Sequence, residues 1–199
     1  MSARPDNPRD DLTGYELLLG VTGGIAAYKA AALVSTLAQR RCGVTVVMTA
    51  SAQRLVAPLT FASLSGRRVY TDLWAVEREW QANHVSLASR ADLIAIAPAT
   101  ANILAKVATG LADDLLSTVV VSADSPVLLA PAMNPRMWAN PITQANVEKL
   151  RALGYHVVGP ESGWLACREV GPGRMAEPEA ILARIADLLR TAPPKASRE

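Results

Sequence analysis

The chain has 199 residues, a length that suits one α/β domain with a sizeable buried core. Hydrophobic residues make up 50% of it, charged residues 19%, and the net charge is only +2. The scattered cations do not indicate a nucleic-acid partner, and no apolar run approaches the length of a membrane span. An apolar composition favours self-association, because a monomer would otherwise expose large apolar patches.

The polar amino terminus reads as a tail and not as a signal peptide. We therefore expect a disordered tail over residues 1–13, one domain over residues 14–190 and a short tail over residues 191–199. Cys42 and Cys167 lie far apart and form no spaced framework, so free thiols in a cytoplasmic protein are the simplest interpretation. No metal site is expected.

Apolar runs bounded by glycine, proline and small polar residues alternate with helical spacing along the chain. The predicted strands are residues 15–21, 44–48, 67–70, 93–97, 127–130 and 155–158. The predicted helices are residues 25–41, 58–64, 84–90, 103–108, 115–121, 143–153 and 178–189. Residues 71–83 and 161–174 are expected to be irregular. This order predicts a three-layer α/β/α fold around a doubly wound six-stranded parallel sheet, with the Rossmann-like order 3-2-1-4-5-6.

Ligands of such a sheet bind where the winding direction reverses, beyond the carboxyl ends of the first and fourth strands. There the loops of residues 22–24 and 98–101 should face each other, each leading into a helix amino terminus that can hold a phosphate. Gly23 and Gly24 do not form the G-x-G-x-x-G fingerprint, which favours a mononucleotide such as FMN over a dinucleotide. Ser51, after the second strand, either adds a hydroxyl to this pocket or caps a helix.

The fifth predicted strand leads into residues 131–138, Pro-Ala-Met-Asn-Pro-Arg-Met-Trp. Pro131 and Pro135 restrict the backbone on both sides of Asn134 and would hold its amide in a fixed direction, as a recognition group requires. The same residues are also typical of a capped turn in which the methionines fill core gaps.

Two further residue types can carry chemistry. His84 either acts as a base or caps the short helix that follows it, whereas His156 lies in a strand pattern and is interpreted as structural. Cys167 lies in a glycine-rich segment that suggests a mobile flap, where Arg168 and Arg174 would favour the thiolate or hold an anionic substrate. Cys42 is interpreted as inert.

Four motifs together resemble those of the homo-oligomeric flavin-containing cysteine decarboxylases, and they fall in the order of that family over residues 17–181. They are residues 20–29 (Gly-Val-Thr-Gly-Gly-Ile-Ala-Ala-Tyr-Lys), residues 97–102 (Ala-Pro-Ala-Thr-Ala-Asn), residues 131–138, and residues 166–175 with Ala-Cys and Gly-Pro-Gly-Arg-Met. The asparagine motif and the cysteine flap are specific, whereas the glycine turn is not.

The resemblance implies FMN-dependent decarboxylation of 4'-phosphopantothenoylcysteine to 4'-phosphopantetheine in coenzyme A biosynthesis. In such a reaction the flavin oxidises the cysteinyl thiol, carbon dioxide leaves, and a protein cysteine helps to return the electrons and a proton. By motif, the resemblance implies His84 as the base and Asn134 as the group that binds the substrate carboxylate. It implies Cys167 as the proton donor that completes the second half of the reaction. Met137 and Arg174 would line the substrate site, and Lys29 is expected at the surface. The implied FMN contacts are Gly23, Gly24, Ser51, Pro98, Ala99, Thr100 and Ala101.

The resemblance also implies a homo-oligomer, a trimer or a dodecamer built from trimers, in which neighbouring subunits complete each site. Because the sequence ends at Glu199, the synthetase step that precedes this reaction is expected from a separate protein. Arg168 stands where the family usually has glycine, so the backbone path of the flap is a point to test. Two alternatives remain: a decarboxylase of carboxy-terminal cysteines in peptides, and a flavin-binding regulatory subunit without catalysis.

Overall fold

The computed structural model of this chain describes residues 11–74 and 83–195. Six parallel strands form one sheet in the order β3-β2-β1-β4-β5-β6, so the predicted topology is confirmed. They are β1 (Glu16–Val21), β2 (Gly43–Met48), β3 (Val69–Tyr70), β4 (Leu93–Ala99), β5 (Val127–Pro131) and β6 (His156–Val157). The reversal of winding lies between β1 and β4, which pair in parallel from Leu17 with Leu93 to Gly20 with Ile96.

The helices connect these strands and cover both faces of the sheet. Within the described ranges they are α1 (Ala27–Gln39), α2 (Ala50–Gln53), α3 (Pro58–Ser65), α4 (Asn83–Arg90), α5 (Ala101–Thr109), α6 (Leu115–Val121), α7 (Pro135–Ala139), α8 (Pro141–Ala152) and α9 (Pro178–Leu189). The bounds of α6 and α9 are those predicted from the sequence. The predicted irregular segment 71–83 falls largely on residues 75–82, which lie outside the described residues.

Alternate residues of the central strands enter two separate hydrophobic cores, as expected for a sheet covered on both faces. Leu17 and Leu19 pack in the core beneath α1 and α9, whereas Leu18 packs in the core formed with α4, α5, α6 and α8. Gly20 has no side chain because Leu116 of α6 occupies that space: a Cβ atom there would lie 2.6 Å from Leu116 Cδ1. The sheet is therefore held rigidly from both sides, which fixes the positions of the loops at its carboxyl edge.

The segment 161–174 differs from the sequence prediction, since it is not irregular. It forms an antiparallel hairpin of β7 (Glu161–Trp164) and β8 (Val170–Arg174), with Gly163 opposite Gly171. The prediction was wrong because neither strand shows apolar alternation. The hairpin lies over the loop after β5 instead of joining the main sheet.

Packed contacts extend beyond residues 14–190 at both ends. Leu12 is completely buried in the core beneath α1, and its N–H donates to the carbonyl of Arg40. At the other end, the N–H of Lys195 donates to Asp92 Oδ1 at 2.6 Å. The predicted disorder of the first ten residues concerns residues outside the described ranges. In the part of the chain that the structure describes, no helix is both long and apolar enough to cross a bilayer.

Candidate functional site

Two adjoining depressions open at the carboxyl edge of the sheet, beside the reversal of winding. The larger, with a volume of 740 Å³, is bounded by the β1 to α1 loop, the loop after β5 and the hairpin; we call it the hairpin cavity. The smaller, of 490 Å³, lies between the β1 and β4 loops and α2; we call it the Ser51 cavity. Both are lined by Gly23, Thr100, Ala101 and Met137. Together they form one continuous candidate site at the predicted position.

The side chain of Thr22 joins the two loops that meet at the reversal. It is 2% exposed, its hydroxyl donates to the carbonyl of Pro98 at 2.6 Å, and its oxygen accepts the N–H of Thr100 at 3.2 Å. Because these bonds use both the hydroxyl proton and an oxygen lone pair, Thr22 links the two loops structurally and does not serve as a ligand group. The sequence placed this residue in the loop without indicating that role.

Gly23 lies against the backbone turn that carries Ser51. A Cβ atom at Gly23 would lie 2.4 Å from Ser51 Cβ, so only glycine fits at this approach. Ser51 lines the Ser51 cavity from within α2, whose cap is Thr49: the Thr49 hydroxyl accepts the N–H of Ala52. Between the two roles left open by the sequence, the capping role of Ser51 is therefore wrong.

Four predicted cofactor contacts follow one another across the end of β4, and the structure divides them. Thr100 caps α5 by accepting the N–H of Ile103, and Thr100 and Ala101 line both depressions. Pro98 and Ala99 line neither, because β4 continues two residues further than predicted and buries both. The ladder to β5 shifts register between Ile96 and Ala99, where Pro98 has no N–H to donate. Pro98 contributes through its carbonyl, which holds Thr22 in place.

Lys106 of α5 supplies a positive charge at the wall of the Ser51 cavity. Its ammonium group binds Asp114 Oδ2 at 2.6 Å and also binds Asp113. Burial alone would lower the pKa of Lys106, but the hydrogen bonds to the two carboxylates outweigh it and raise the pKa. Asp114 also caps α6 in a reciprocal capping box with Ser117. The cation is thus fixed in place beside the cavity.

Asn134 is held at the mouth of the hairpin cavity as the cap of α7. Its Oδ1 accepts the N–H of Met137 at 2.8 Å. Because that bond uses the amide oxygen, the Nδ2 group is the half of the amide that can donate to a ligand. The capped turn is therefore present, and the cap fixes the direction of the Asn134 amide. Met137 is exposed beside it and lines both depressions.

Cys167 lies at the tip of the hairpin and lines the hairpin cavity. The thiol is exposed and lies 3.9 Å from the Glu169 carboxylate. Arg168 has a φ of +65°, in the left-handed region that glycine adopts without cost. The turn thus has the left-handed backbone that glycine would adopt, although it carries arginine at position 168. The replacement of the usual glycine therefore leaves this backbone conformation unchanged.

At the base of the hairpin, Arg174 belongs to an ionic cluster. Its guanidinium pairs with Glu177 and lies 3.7 Å from Glu161, while the other oxygen of Glu177 accepts from Lys29 Nζ at 2.9 Å. Lys29 was expected at the surface, and that expectation is wrong: its side chain is only 13% exposed and lines the hairpin cavity. Its stem lies against the cavity wall, and its charge is matched by a carboxylate 148 residues further along the chain.

The remaining candidates lie away from the two depressions. His84 is the second residue of α4, half-buried, and lines neither cavity. His156 contacts Arg184 at 3.3 Å, and burial together with that cation lowers its pKa. Cys42 is buried, and desolvation raises the pKa of its thiol to about 12, which agrees with an inert role.

The chemistry of the site suits a ligand that combines a phosphate with a flat apolar body. Two helices, α1 and α5, begin at the site, and such termini together with glycine backbone favour a phosphate. The absence of a side chain at Gly23 allows the β1 loop to approach the turn that carries Ser51 closely. The hairpin cavity adds apolar walls from Ala132, Met133 and Met175.

Comparison with known proteins agrees with this geometry. The fold and the site define an α/β protein that binds a phosphorylated cofactor at the reversal point of its sheet. A family model described as Flavoprotein matches residues 5–190, and the chain belongs to that family.

Among curated proteins, the chain is similar to the coenzyme A biosynthesis bifunctional protein CoaBC of Bacillus subtilis (strain 168), with 47% identity over 86% of the chain and 42% of that protein. The CoaBC of Escherichia coli (strain K12) is 43% identical over 86% of the chain and 42% of that protein. The chain thus spans less than half the length of these bifunctional relatives.

Solved structures include a cysteine-to-serine mutant of PPC decarboxylase complexed with pantothenoylaminoethenethiol, with a TM-score of 0.80 and 31% identity over 89% of this chain and 99% of that chain. The FMN-dependent cysteine decarboxylase SpaF gives a TM-score of 0.81 and 35% identity over 90% of this chain and 98% of that one.

Proposed function

We propose that this chain binds FMN and decarboxylates 4'-phosphopantothenoylcysteine to 4'-phosphopantetheine, a step of coenzyme A biosynthesis. The observation that carries the proposal is the presence of Asn134 and Cys167 in one cavity with the Gly23 and Thr100 loops. The amide would bind the substrate carboxylate and the two loops would bind a phosphate, and the thiol lines the same cavity. The similarity to CoaBC proteins and to a PPC decarboxylase supports the same substrate.

The residues that would hold FMN are Gly23, Gly24, Ser51, Thr100 and Ala101 at the phosphate side, with Met137 between the two depressions. Bound FMN would supply a two-electron acceptor and donor for the cysteinyl end of the substrate. Pro98 would not contact FMN but would hold the loop in place through the hydrogen bond from Thr22 to its carbonyl. Ala99 is buried next to it in β4.

The protein's own groups divide the remaining work. The Nδ2 group of Asn134 would donate a hydrogen bond to the substrate carboxylate and orient it, since its Oδ1 is engaged by Met137 N–H. Cys167 would deliver a proton to the decarboxylated product from the hairpin tip. The hairpin would cover the cavity and exclude water from the reacting end of the substrate. Arg174, paired with Glu177, would line the substrate site at the edge of the cavity.

His84 would act as the base in the site of a neighbouring subunit. Two observations support this part of the proposal: His84 lines neither depression of its own chain, and exposed apolar side chains surround the cavity. Ile25, Tyr28 and Trp164 are each more than 60% exposed there, which suits a subunit interface. We therefore propose a homo-oligomer, a trimer or a dodecamer built from trimers, and a cytoplasmic location.

The decisive experiment gives the purified protein either 4'-phosphopantothenoylcysteine or a peptide ending in cysteine and follows the products by mass spectrometry. Flavin absorbance and 4'-phosphopantetheine from the first substrate alone are the expected results. Turnover of the peptide alone would establish the peptide decarboxylase alternative. A protein that binds FMN but converts neither would be the regulatory alternative.

The shared site is tested by mixing subunits of two inactive variants, His84→Asn and Cys167→Ser. Because these residues would serve one site from different chains, mixed oligomers should regain complete turnover, whereas neither variant does so alone. Equal inactivity of the mixture would place His84 and Cys167 in the same chain's site or remove one of them from the mechanism.

A further inference from the structure

Glu177 occupies the cap position of α9, but its carboxylate makes no hydrogen bond to the helix it precedes. Side chains at this position usually satisfy the first N–H groups of the helix. Here both oxygens are directed elsewhere: one accepts from Lys29 of α1 at 2.9 Å and the other from Arg174 of β8. Glu177 therefore links the helix after the glycine loop to the base of the Cys167 hairpin.

We propose that Glu177 is a positioning residue, which holds the hairpin base and Lys29 in fixed positions so that Cys167 meets the substrate over the cofactor loops. This inference rests on the proposed function and assigns a role in it to a residue that does not touch the reacting atoms. Lys29, Arg174 and Glu177 all line the hairpin cavity, so the link lies at its wall.

Backbone contacts at the base of the hairpin explain why holding Arg174 in place would fix the position of Cys167 at the tip. Arg174 is the last residue of β8, and the preceding Gly173 accepts the N–H of Met133 from the Asn134 loop at 2.9 Å. Gly171 approaches Pro135 so closely that a Cβ atom would lie 2.9 Å from Pro135 Cγ. The second strand of the hairpin thus packs along the Asn134 loop. The ion pair between Arg174 and Glu177 holds the end of that strand in place.

The course of the Arg174 side chain supports the same role. It lies flat across the facing strand over Gly163, where a Cβ atom would lie 3.1 Å from both Arg174 Cδ and Nη1. Its Nε is buried without a hydrogen-bond partner among the described residues. The ion pair with Glu177 is therefore the main polar interaction that holds this guanidinium against the hairpin, with Glu161 more distant at 3.7 Å.

Glu177 is the central charge of the cluster that it forms with Lys29, Arg174 and Glu161. Two cations and two carboxylates give a neutral group, and only Glu177 contacts both cations. The hydrogen bond from Lys29, followed by the charges of Lys29 and Arg174, holds the pKa of Glu177 below its ordinary value, so the carboxylate stays ionised near neutral pH. Removing that charge frees Lys29 and Arg174 together.

The test compares Glu177→Gln with Glu179→Gln in the FMN-loaded protein. Glutamine keeps the shape of Glu177 and removes its charge, and Glu179 is an exposed residue two positions further along the same helix. The first readout is hydrogen exchange at the Met133 amide, which reports the seating of Gly173. We expect exchange in Glu177→Gln to be about tenfold faster than in wild type, because a strand held by fewer interactions opens more often; Glu179→Gln should stay within about twofold of wild type on the same reasoning. Equal exchange in the two variants would overturn the proposal.

The second readout separates positioning from general stability. In a single turnover with 4'-phosphopantothenoylcysteine, Glu177→Gln should accumulate the decarboxylated enethiol, because only the second half of the reaction needs Cys167. A variant that is merely less stable would slow both halves alike, and that result would refute the proposal. If wild type itself gives no turnover, the proposed function fails, while the exchange result at Met133 still decides the role of Glu177 in seating the hairpin.

Arg174→Gln provides an independent check that does not depend on the folding of the first variant. It should raise exchange at Met133 as Glu177→Gln does, and the double variant should add little, because both changes break one link. Additive effects would show that Glu177 and Arg174 act separately, contrary to the proposal.

Discussion

The N–H of Met133 donates to the carbonyl oxygen of Gly173 at 2.9 Å, which joins the loop of Asn134 to the hairpin of Cys167. These two segments would carry the two halves of the reaction, since one orients the carboxylate that leaves and the other completes the product. Their backbones are in direct contact, so the relative position of amide and thiol is set by the main chain. Changes at this contact should therefore affect catalysis more than they affect cofactor binding.

Gly173→Ala tests that contact. Gly173 has a φ of +121°, and a Cβ atom would lie 2.3 Å from the carbonyl oxygen of Met133, a backbone atom with little freedom to move. We expect a loss of about 2–3 kcal/mol in the free energy of unfolding, or separation of the hairpin from the loop. Urea denaturation measures the first, and accumulation of the enethiol product measures the second.

The matched control is Gly154→Ala. Gly154 also has a positive φ, of +89°, but no atom lies within 4 Å of a Cβ atom placed there. It should cost only the backbone strain, about 1 kcal/mol, with catalysis unchanged. Equal effects of the two substitutions would mean that the approach to Met133 is unimportant.

Thr22→Val should weaken both folding and FMN binding, because it removes the hydroxyl that joins the two cofactor loops. The carbonyl of Pro98 and the N–H of Thr100 would lose a buried partner, at a cost of about 1–3 kcal/mol. Flavin fluorescence titration and urea denaturation measure the two effects. Thr22→Ser keeps the hydroxyl and should remain close to wild type; if serine were as harmful as valine, the methyl group and not the hydroxyl would be the important part.

The fold could be predicted from the sequence because its information is local. Apolar runs such as residues 127–130 end at proline or glycine, and the handedness of strand-helix-strand connections leaves few topologies. The position of the candidate site followed from the same reasoning, since loops after β1 and β4 must face each other at the reversal. Asn134, Met137 and Cys167 were found from motifs and were brought to one cavity by that topology.

What the sequence did not predict depends on long-range contacts or on exact strand ends. Lys29 and Glu177 are 148 residues apart, and no local pattern indicates that they meet. The hairpin escaped prediction because its strands are glycine-rich and half exposed. The resemblance implied Pro98 and Ala99 as cofactor contacts and the predicted strand ended at Ala97, whereas pairing with β5 extends the strand and buries both.

Arg168→Gly should stabilise the hairpin turn. Arg168 holds a φ of +65°, which costs an L residue with a side chain about 1–2 kcal/mol relative to glycine. We expect a gain of about 1 kcal/mol in the free energy of unfolding, partly offset by the greater freedom of glycine in the unfolded chain. Arg168→Ala removes the same charge and keeps the strain, so it should give no gain. A gain in the alanine variant would attribute the effect to the guanidinium.

The two thiols should differ sharply toward iodoacetamide. The pKa of Cys42 is raised to about 12 by burial, so its reactive thiolate is scarce at pH 8, and the sulfur is also inaccessible. Cys167 is exposed, and we expect a single adduct there by mass spectrometry. In urea both cysteines should be modified, which serves as the control. Modification of Cys42 in the folded protein would show that the core near β2 opens readily.

Asp114 should make stability depend on pH in a predictable direction. Burial favours the protonated acid, but hydrogen bonds from Lys106 and Ser117 outweigh it, so the folded pKa of Asp114 lies below its ordinary value of 3.8. A carboxyl group whose pKa is lowered by folding contributes stability above its unfolded pKa, and the contribution is lost as pH falls through the folded pKa.

Asp114→Asn isolates this contribution, because asparagine still caps α6 while losing the charge that faces Lys106 across the wall of the Ser51 cavity. At pH 7 the variant should be less stable by about 0.5–1 kcal/mol, a value reduced by solvent screening at a partly exposed pair. The difference from wild type should shrink as pH falls below 3.8. Urea denaturation between pH 7 and pH 3 measures it, and a difference that stays constant across this range would mean that the Asp114 charge does not stabilise the fold.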